Sequence, residues 1–308
     1  MDDFTLEPIH KLTRDLRQAA ATLTETEARY LVDSYYQMQR DRIRAAHQAR
    51  TLNESAEPHL LVGWLAKNAF VLERNIKSAL AAYSKAHPVG RWAESIVGIG
   101  PVISAGLLAH ITLQPWRCMN PKGPKTRKTD DGKVDFCREG SPCTAACTRT
   151  RTTTVGKIWR FAGLDPTVKW EPGTKRPWNG ALKRLCWLIG ESFTKVSGND
   201  NDFYGKFYLQ RKAQEEAKNA AGAFAEQARV SLETKKWRRD TSTRVAYEAG
   251  RLPQARIHLR AQRYAVKLFL SHWHAVHYFH LFREMPPKPY VIEHLGHADL
   301  IEVPHWPF

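Results

Sequence analysis

Residues 97–109 read VGIGPVISAGLLA, and this stretch decides the predicted fold. Gly98 and Gly100 permit the positive φ angles of a tight turn. Pro101 suits the first position of a helix, where its missing N–H costs nothing. The free amides of such a turn and helix start carry partial positive charge. The stretch therefore predicts a glycine turn that opens into a small, apolar helix and can bind a phosphate.

This pattern is typical of the helix-hairpin-helix element, in which backbone amides hold DNA phosphates without reading bases. We expect the amides of Gly98, Ile99 and Gly100 to make that contact. The alternative is a turn that only lets two helices pack closely.

The charge of the chain favours a polyanionic partner. The 308 residues carry a formal net charge of +16, and residues 117–187 hold sixteen Lys and Arg against six Asp and Glu. Such a concentration of positive charge is typical of nucleic-acid-binding proteins. We expect DNA as the partner, with RNA as the alternative, and a homo-oligomer remains open.

The first residues, MDDF, are acidic, and no apolar segment follows that could serve as a signal peptide. No apolar run reaches the ~20 residues that span a bilayer. We therefore expect a cytoplasmic, nucleoid-associated protein without a membrane partner. In a reducing compartment its five cysteines would not form structural disulfides.

Apolar periodicity predicts a mainly α fold, a helical bundle with a helix-hairpin-helix core. We expect helices at 22–50, capped by Thr24 or Thr26, at 57–86, at 91–97, and from the turn to about Leu113. Later helices are predicted at 155–165, 180–195, 203–239 and 253–284, with 88–90 ending the second one. The predicted regions are an N-terminal helical region (1–90), a transposase-like domain (91–195) with a Cys-rich insertion (114–154), and a C-terminal helical region with a Pro/His-rich tail (196–308).

Four cysteines fall in the polar segment 114–154, namely Cys118, Cys137, Cys143 and Cys147. Four thiolates at this spacing suit a structural, tetrahedral Zn²⁺ site, a zinc-knuckle-like insertion, and the metal would stabilise a segment with few apolar residues. The alternative is a basic loop with incidental thiols. His110 is a spare nitrogen donor, and Cys186 is predicted to lie in the core.

Four histidines lie within nine residues of the last helix, at His272, His274, His277 and His280. Trp273, Tyr278, Phe279 and Phe282 fill the same region. We expect a packed aromatic helix, with a metal or acid–base site and a phosphate-facing surface as the alternatives.

A basic, turn-rich segment precedes and enters the helix at 180–195. We expect its cations to neutralise phosphates and its tryptophans to stack on an unpaired base. The candidate residues are Lys169, Trp170, Lys175, Arg176, Trp178, Lys183 and Arg184.

Several short motifs recur in an order that resembles a known family. IVGIGPVISAGLL at 96–108 is followed by WRFAGLDP at 159–166, GTKRP at 173–177 and LKRL at 182–185. This order is similar to the C-terminal domain of the DEDD-type insertion-sequence transposases, the bridge-RNA recombinases, over about residues 91–195. The resemblance implies a DNA-binding protein of a mobile element or phage.

The sequence differs from that family in two respects. The family has an N-terminal ribonuclease-H-like domain with four acidic catalytic residues, whereas residues 1–90 predict helices only. The family also has a nucleophilic serine after the GL-x-P motif, whereas residues 167–175 read TVKWEPGTK. We therefore expect binding without catalysis.

Two alternatives remain. The first is an active DNA recombinase or nuclease that uses Thr174 as nucleophile, or Asp165 and Glu191 with Mg²⁺. The second is an RNA-binding structural component of a mobile element.

Overall fold

The computed structural model describes residues 11–53, 60–118, 127–128, 134–135, 147–238, 240–287 and 300–308. This part of the chain is mainly helical, so the predicted fold class is confirmed at that level. The helices are α1 Arg14–Ala19, α2 Glu25–Asn53, α3 Leu60–Ala86, α4 Pro88–Glu94, α5 Pro101–His110, α6 Val155–Phe161, α7 Gly180–Val196, α8 Tyr204–Ala220, α9 Ala225–Thr234, α10 Ser242–Glu248 and α11 Gln254–Phe282. Short strands are β1 Trp116–Cys118, β2 Arg127–Lys128, β3 Val134–Asp135 and β4 Cys147–Arg149.

The two longest N-terminal helices, α2 and α3, pack along each other. Thr24 begins α2 with a capping box, because its Oγ1 accepts from the Glu27 amide and the Glu27 carboxylate accepts from the Thr24 amide. Of the two predicted caps, Thr24 is therefore the one that the structure uses. An ion pair between Arg42 and the buried Glu73 joins the two helices further along.

The second helix ends at Ala86, as predicted, but the limits of two other helices are wrong. The third helix is predicted at 91–97, whereas α4 spans Pro88–Glu94, because a proline fits the first turn of a helix. The predicted helix at 203–239 is two helices, α8 and α9, separated at Gly222 with φ 79°. A glycine in this left-handed conformation ends a helix at little steric cost.

One large hydrophobic cluster draws residues from α2 through α8 and from α11. The helix after the glycine turn, α5, lies inside it and contacts α2, α3 and α7. Ala105 and Leu107 of α5 are completely buried. A smaller cluster joins α9, α10 and the start of α11.

Near the two ends of the segment 114–154, β1 pairs with β4 in antiparallel register. Within the insertion, β2 pairs with β3. Cys118 lies opposite Cys147 across the β1–β4 ladder. Cys137 and Cys143 lie outside the described residues.

The last residues of the chain, 300–308, contact both α4 and α11. Trp92 of α4 donates its indole N–H to the Pro304 carbonyl at 2.9 Å. The Trp306 ring centroid lies 5.4 Å from that of Phe279 in α11. Among the described helices, none has the length and apolar character that crossing a membrane requires.

Candidate nucleic-acid interface

The glycine turn between α4 and α5 packs against α7. Gly98 has φ 95°, which an L side chain adopts only with strain. The Ser192 hydroxyl of α7 donates to the Gly98 carbonyl. A Cβ on Gly98 would lie 3.1 Å from Ser192 Oγ and 3.2 Å from Val196 Cγ2. The close packing of Gly98 therefore holds the glycine turn against α7.

Not all of the predicted phosphate-binding amides are available. The Ile99 amide donates to the Ile96 carbonyl at 2.9 Å, within the turn itself. The amides of Gly98, Gly100 and Val102 have no hydrogen-bond acceptor in the described part of the chain. Open space surrounds the Gly100 Cα. Two of the three predicted amides, together with the start of α5, remain able to bind an anion.

The basic loop, residues 166–179, is largely exposed, and each of its two tryptophans lies close to a cation. The Trp170 indole N–H donates to the Thr174 carbonyl at 2.9 Å, and the Arg176 guanidinium lies 5.4 Å from the Trp170 ring centroid. Lys183 Nζ lies 3.9 Å from the Trp178 ring centroid. Each predicted stacking residue is thus already paired with a predicted phosphate-binding cation.

The basic loop packs closely against the end of α6. Gly163, just after α6, has φ 67°, and a Cβ there would lie 2.9 Å from both Trp178 Cγ and Lys183 Cδ. The Asn179 amide donates to the Phe161 carbonyl at 2.9 Å, and its side chain caps α7 by accepting from the Leu182 amide. The GL-x-P segment therefore positions the second tryptophan–cation pair.

The structure adds cations from α11 that the sequence analysis missed. The pKa of Lys183 is lowered by partial burial and by the nearby charges of Arg263 and Arg176. Lys267 Nζ lies 4.1 Å from the Trp159 ring centroid, and burial lowers its pKa. The available signal was a basic stripe at helical spacing, residues 256, 260, 263 and 267.

A further missed residue is Trp187, whose side chain is 53% exposed. It lies on α7 one turn after Lys183, so the two are neighbours on the helix surface. An exposed tryptophan beside cations was the signal that could have found it.

Seven cations of the basic loop, α7 and α11 make up what we call the basic face, and the charge of the Asp165 carboxylate acts on one of them, Lys267. Within the described residues none of them forms an ion pair. The basic face consists of Lys169, Lys175, Arg176, Lys183, Arg184, Arg263 and Lys267. In contrast, Arg229 pairs with Glu226 and Glu233 on α9. Unlike Arg229, the cations of the basic face therefore have no ion-pair partner among the described residues to offset their positive potential.

The side chains of the candidate catalytic residues already form hydrogen bonds with neighbouring groups of the protein. The Thr174 hydroxyl donates to the Glu171 carbonyl at 2.7 Å. Asp165 accepts from the hydroxyl and amide of Thr167, which lowers the pKa of its carboxyl group. Glu191 accepts from the Gln262 amide at 2.8 Å. In the described residues, no hydrogen bond links Thr174 to either carboxylate.

Two histidines of α11, His272 and His274, are buried and hydrogen-bonded as predicted, whereas the buried Nδ1 atoms of His277 and His280 have no partner among the described residues. His272 accepts from the Tyr204 hydroxyl and donates to the Ile301 carbonyl, and burial lowers its pKa to about 4. Burial and three neighbouring histidines lower the pKa of His277 to about 3. Cys186 lies in the core, where burial raises its pKa to about 12. The part of the chain that is described holds no group of three or more His, Cys, Asp or Glu suited to a metal ion.

Compared with models of known protein families, with curated proteins and with solved structures, the chain matches none of them. The resemblance to the insertion-sequence transposases therefore stays a prediction from short motifs.

Proposed function

We propose that this protein binds nucleic acid, with DNA as the preferred partner, as a transposase-like protein of a mobile element or phage. The observation that carries the proposal is the basic face, whose seven cations form no ion pair within the described residues. An RNA-binding structural role would use the same surface.

Binding divides between two kinds of contact. The amides of Gly98 and Gly100 hold one phosphate, and the cations of the basic face neutralise its neighbours. The Trp170 and Trp178 rings offer stacking surfaces for an unpaired base. Phosphate contacts of this kind position the strand without reading its sequence.

The test is the salt dependence of DNA affinity, because each neutralised phosphate releases counterions. Lys175→Ala with Arg176→Ala should lower the affinity and reduce the slope of log K against log salt by about two. The matched control is Lys212→Ala with Arg229→Ala, which removes the same charge from ion-paired positions on α8 and α9. Equal slopes for the two double variants would contradict the basic face.

The identity of the nucleic acid that co-purifies with the protein, tested with DNase and RNase, separates DNA from RNA. Incubation with supercoiled DNA and Mg²⁺ separates binding from catalysis. We expect no nicking. Nicking or a covalent adduct that Thr174→Ala abolishes would instead establish the recombinase.

We also propose that the Cys-rich insertion holds a structural Zn²⁺. The proposal is supported by the register of the β1–β4 ladder, in which the first and last of the four cysteines, Cys118 and Cys147, are paired positions. Elemental analysis of the purified protein should give one zinc per chain. A folded, metal-free protein would remove this proposal and leave nucleic-acid binding intact.

A further inference from the structure

A pocket lies beside the basic face, between α2, α5 and α7. Its volume is about 240 Å³. Pockets for drug-sized ligands begin at ~300 Å³, so this one suits a single small ring system. Arg184 of the basic face lines it, as do the first residues of α7. The pocket therefore opens onto the surface where we place the phosphates.

The walls of the pocket suit a flat, aromatic ligand. Tyr36 of α2 is half-buried, and Leu185 of α7 is 3% exposed. The Arg184 guanidinium lies 5.1 Å from the Tyr36 ring centroid. An aromatic ring, an aliphatic wall and a cation beside them are the components that hold a nucleobase and its phosphate.

Two polar side chains of the pocket form no hydrogen bond with the described residues. His110 is 9% exposed, its Nδ1 is fully buried, and it forms no hydrogen bond with any described residue. Burial lowers the pKa of His110, so the neutral ring offers one donor and one acceptor. The exposed Asp33 carboxylate forms neither a hydrogen bond nor an ion pair with the described residues. The Asp33 carboxylate can therefore accept hydrogen bonds from a ligand in the pocket, whereas the buried His110 Nδ1 has no surface that a ligand could touch.

We propose that this pocket takes one unpaired nucleobase of a bound strand. Tyr36 stacks on the base, and Asp33 accepts from its exocyclic amino group. Arg184 and the start of α7 hold the adjoining phosphate. The inference rests on the proposed nucleic-acid binding and adds to it a site for a base that has left its stack. A base with an amino group is preferred over thymine or uracil.

The first experiment uses a DNA duplex with one unpaired 2-aminopurine and measures its fluorescence. Binding of the protein should quench this signal, because the base stacks on Tyr36, and should leave a fully paired probe unchanged. Ala181→Phe fills the pocket from an exposed position and should abolish the quenching. Tyr36→Leu, which removes the ring, should do the same. Ala213→Phe, an equally exposed position on α8, is the matched control.

The second experiment compares duplexes that carry one unpaired cytosine or one unpaired thymine. Cytosine should bind about tenfold more tightly, the size of one charge-assisted hydrogen bond. Asp33→Ala should remove this preference, and Asp41→Ala on the same helix should keep it.

The outcomes separate the pocket from the proposed function. If DNA binds with a steep salt dependence but the probe stays bright and cytosine is not preferred, the pocket is wrong and the basic face stands. If no nucleic acid binds, both fail. Tight binding of free AMP or CMP, with no quenching of the strand probe, would also overturn the inference in favour of a mononucleotide site.

Discussion

Gly98 and Gly100 lie two residues apart in one turn and have different roles. Gly98 has a positive φ, and side chains of α7 lie close to where its Cβ would be. Gly100 has an extended backbone and open space around it. The sequence predicted the same role for both, because only the packing against α7 distinguishes them.

We expect Gly98→Ala to reduce the free energy of unfolding by about 1–2 kcal/mol, because an L residue at this φ is strained. Gly100→Ala is the control and should change it by less than about 0.5 kcal/mol. Urea denaturation measures both. Equal stabilities for the two variants would contradict the role of Gly98 in the turn.

His272 is a second residue whose environment sets its behaviour. Its folded pKa is about 4, below the value of ~6.5 in the unfolded chain. The unfolded state therefore takes up the proton first as the pH falls. Stability due to the neutral ring is complete above pH ~6.5 and is lost towards pH ~4.

The melting temperature of the protein should accordingly fall as the pH is lowered from 7 to 4, with up to about 3 kcal/mol of this loss due to His272. His272→Gln should be less stable at pH 7 but show a flatter pH dependence. His47→Gln, at an exposed position, should keep the original dependence. A pH profile of His272→Gln parallel to that of the original protein would refute the assignment.

At the scale of elements, α7 connects the glycine turn with the basic face. Asn179, at the end of the basic loop, caps the first turn of α7. Ser192, in the second half of α7, donates a hydrogen bond to the glycine turn. Its inward side, which includes Leu182, Ile189 and Phe193, is completely buried. One amphipathic helix thus fixes the glycine turn and the basic loop, the two proposed sets of phosphate contacts, relative to each other.

Asn179→Ala should cost about 1 kcal/mol of stability, because it removes the cap of α7. Asn179→Asp should keep the cap but weaken DNA binding, since a carboxylate then stands among the cations of the basic face. Thr241→Ala removes the cap of α10 and serves as a control that lowers stability without affecting binding. Unchanged affinity in Asn179→Asp would place Asn179 outside the interface.

At the scale of the whole molecule, helices that are far apart in the sequence share one hydrophobic core. The cluster joins Val32 of α2 to Trp273 of α11, and Trp306 packs against it from the last residues. Each side chain in this cluster is buried by helices far apart in the chain. Removing one buried side chain therefore lowers the stability of the whole cluster.

We expect Trp306→Ala to cost about 2 kcal/mol, less than the 3–5 kcal/mol for a fully buried aromatic ring. Leu300→Ala, at a position that is 61% exposed, is the control and should be close to neutral. Thermal unfolding compares the two. Neutral behaviour of Trp306→Ala would show that the final residues do not contribute to the core.

Local patterns predicted much of the helical structure. Helical periodicity placed α2, α3, α7 and α11 within a few residues, because apolar spacing and caps are local properties of the chain. The errors, at Pro88 and Gly222, arose where one residue type fits two roles. Proline can follow one helix or begin the next, and glycine can lie within a charged helix or end it.

The candidate site was predicted in part. The loop cations and tryptophans were found because they are adjacent in sequence, whereas Arg263 and Lys267 were missed because they are about 80 residues away from the loop. The pocket was missed as well, since Asp33, His110 and Arg184 come from three separate helices.

By itself, the sequence determined the helical class, the strong positive charge, the glycine turn and the cations of the basic loop. These follow from composition and from spacing within a few residues. Only the tertiary structure decided which turn amide is used internally, which cations lack carboxylate partners, and which polar groups line a pocket. Those properties depend on the packing of α2, α5, α7 and α11 against one another, which no local pattern encodes.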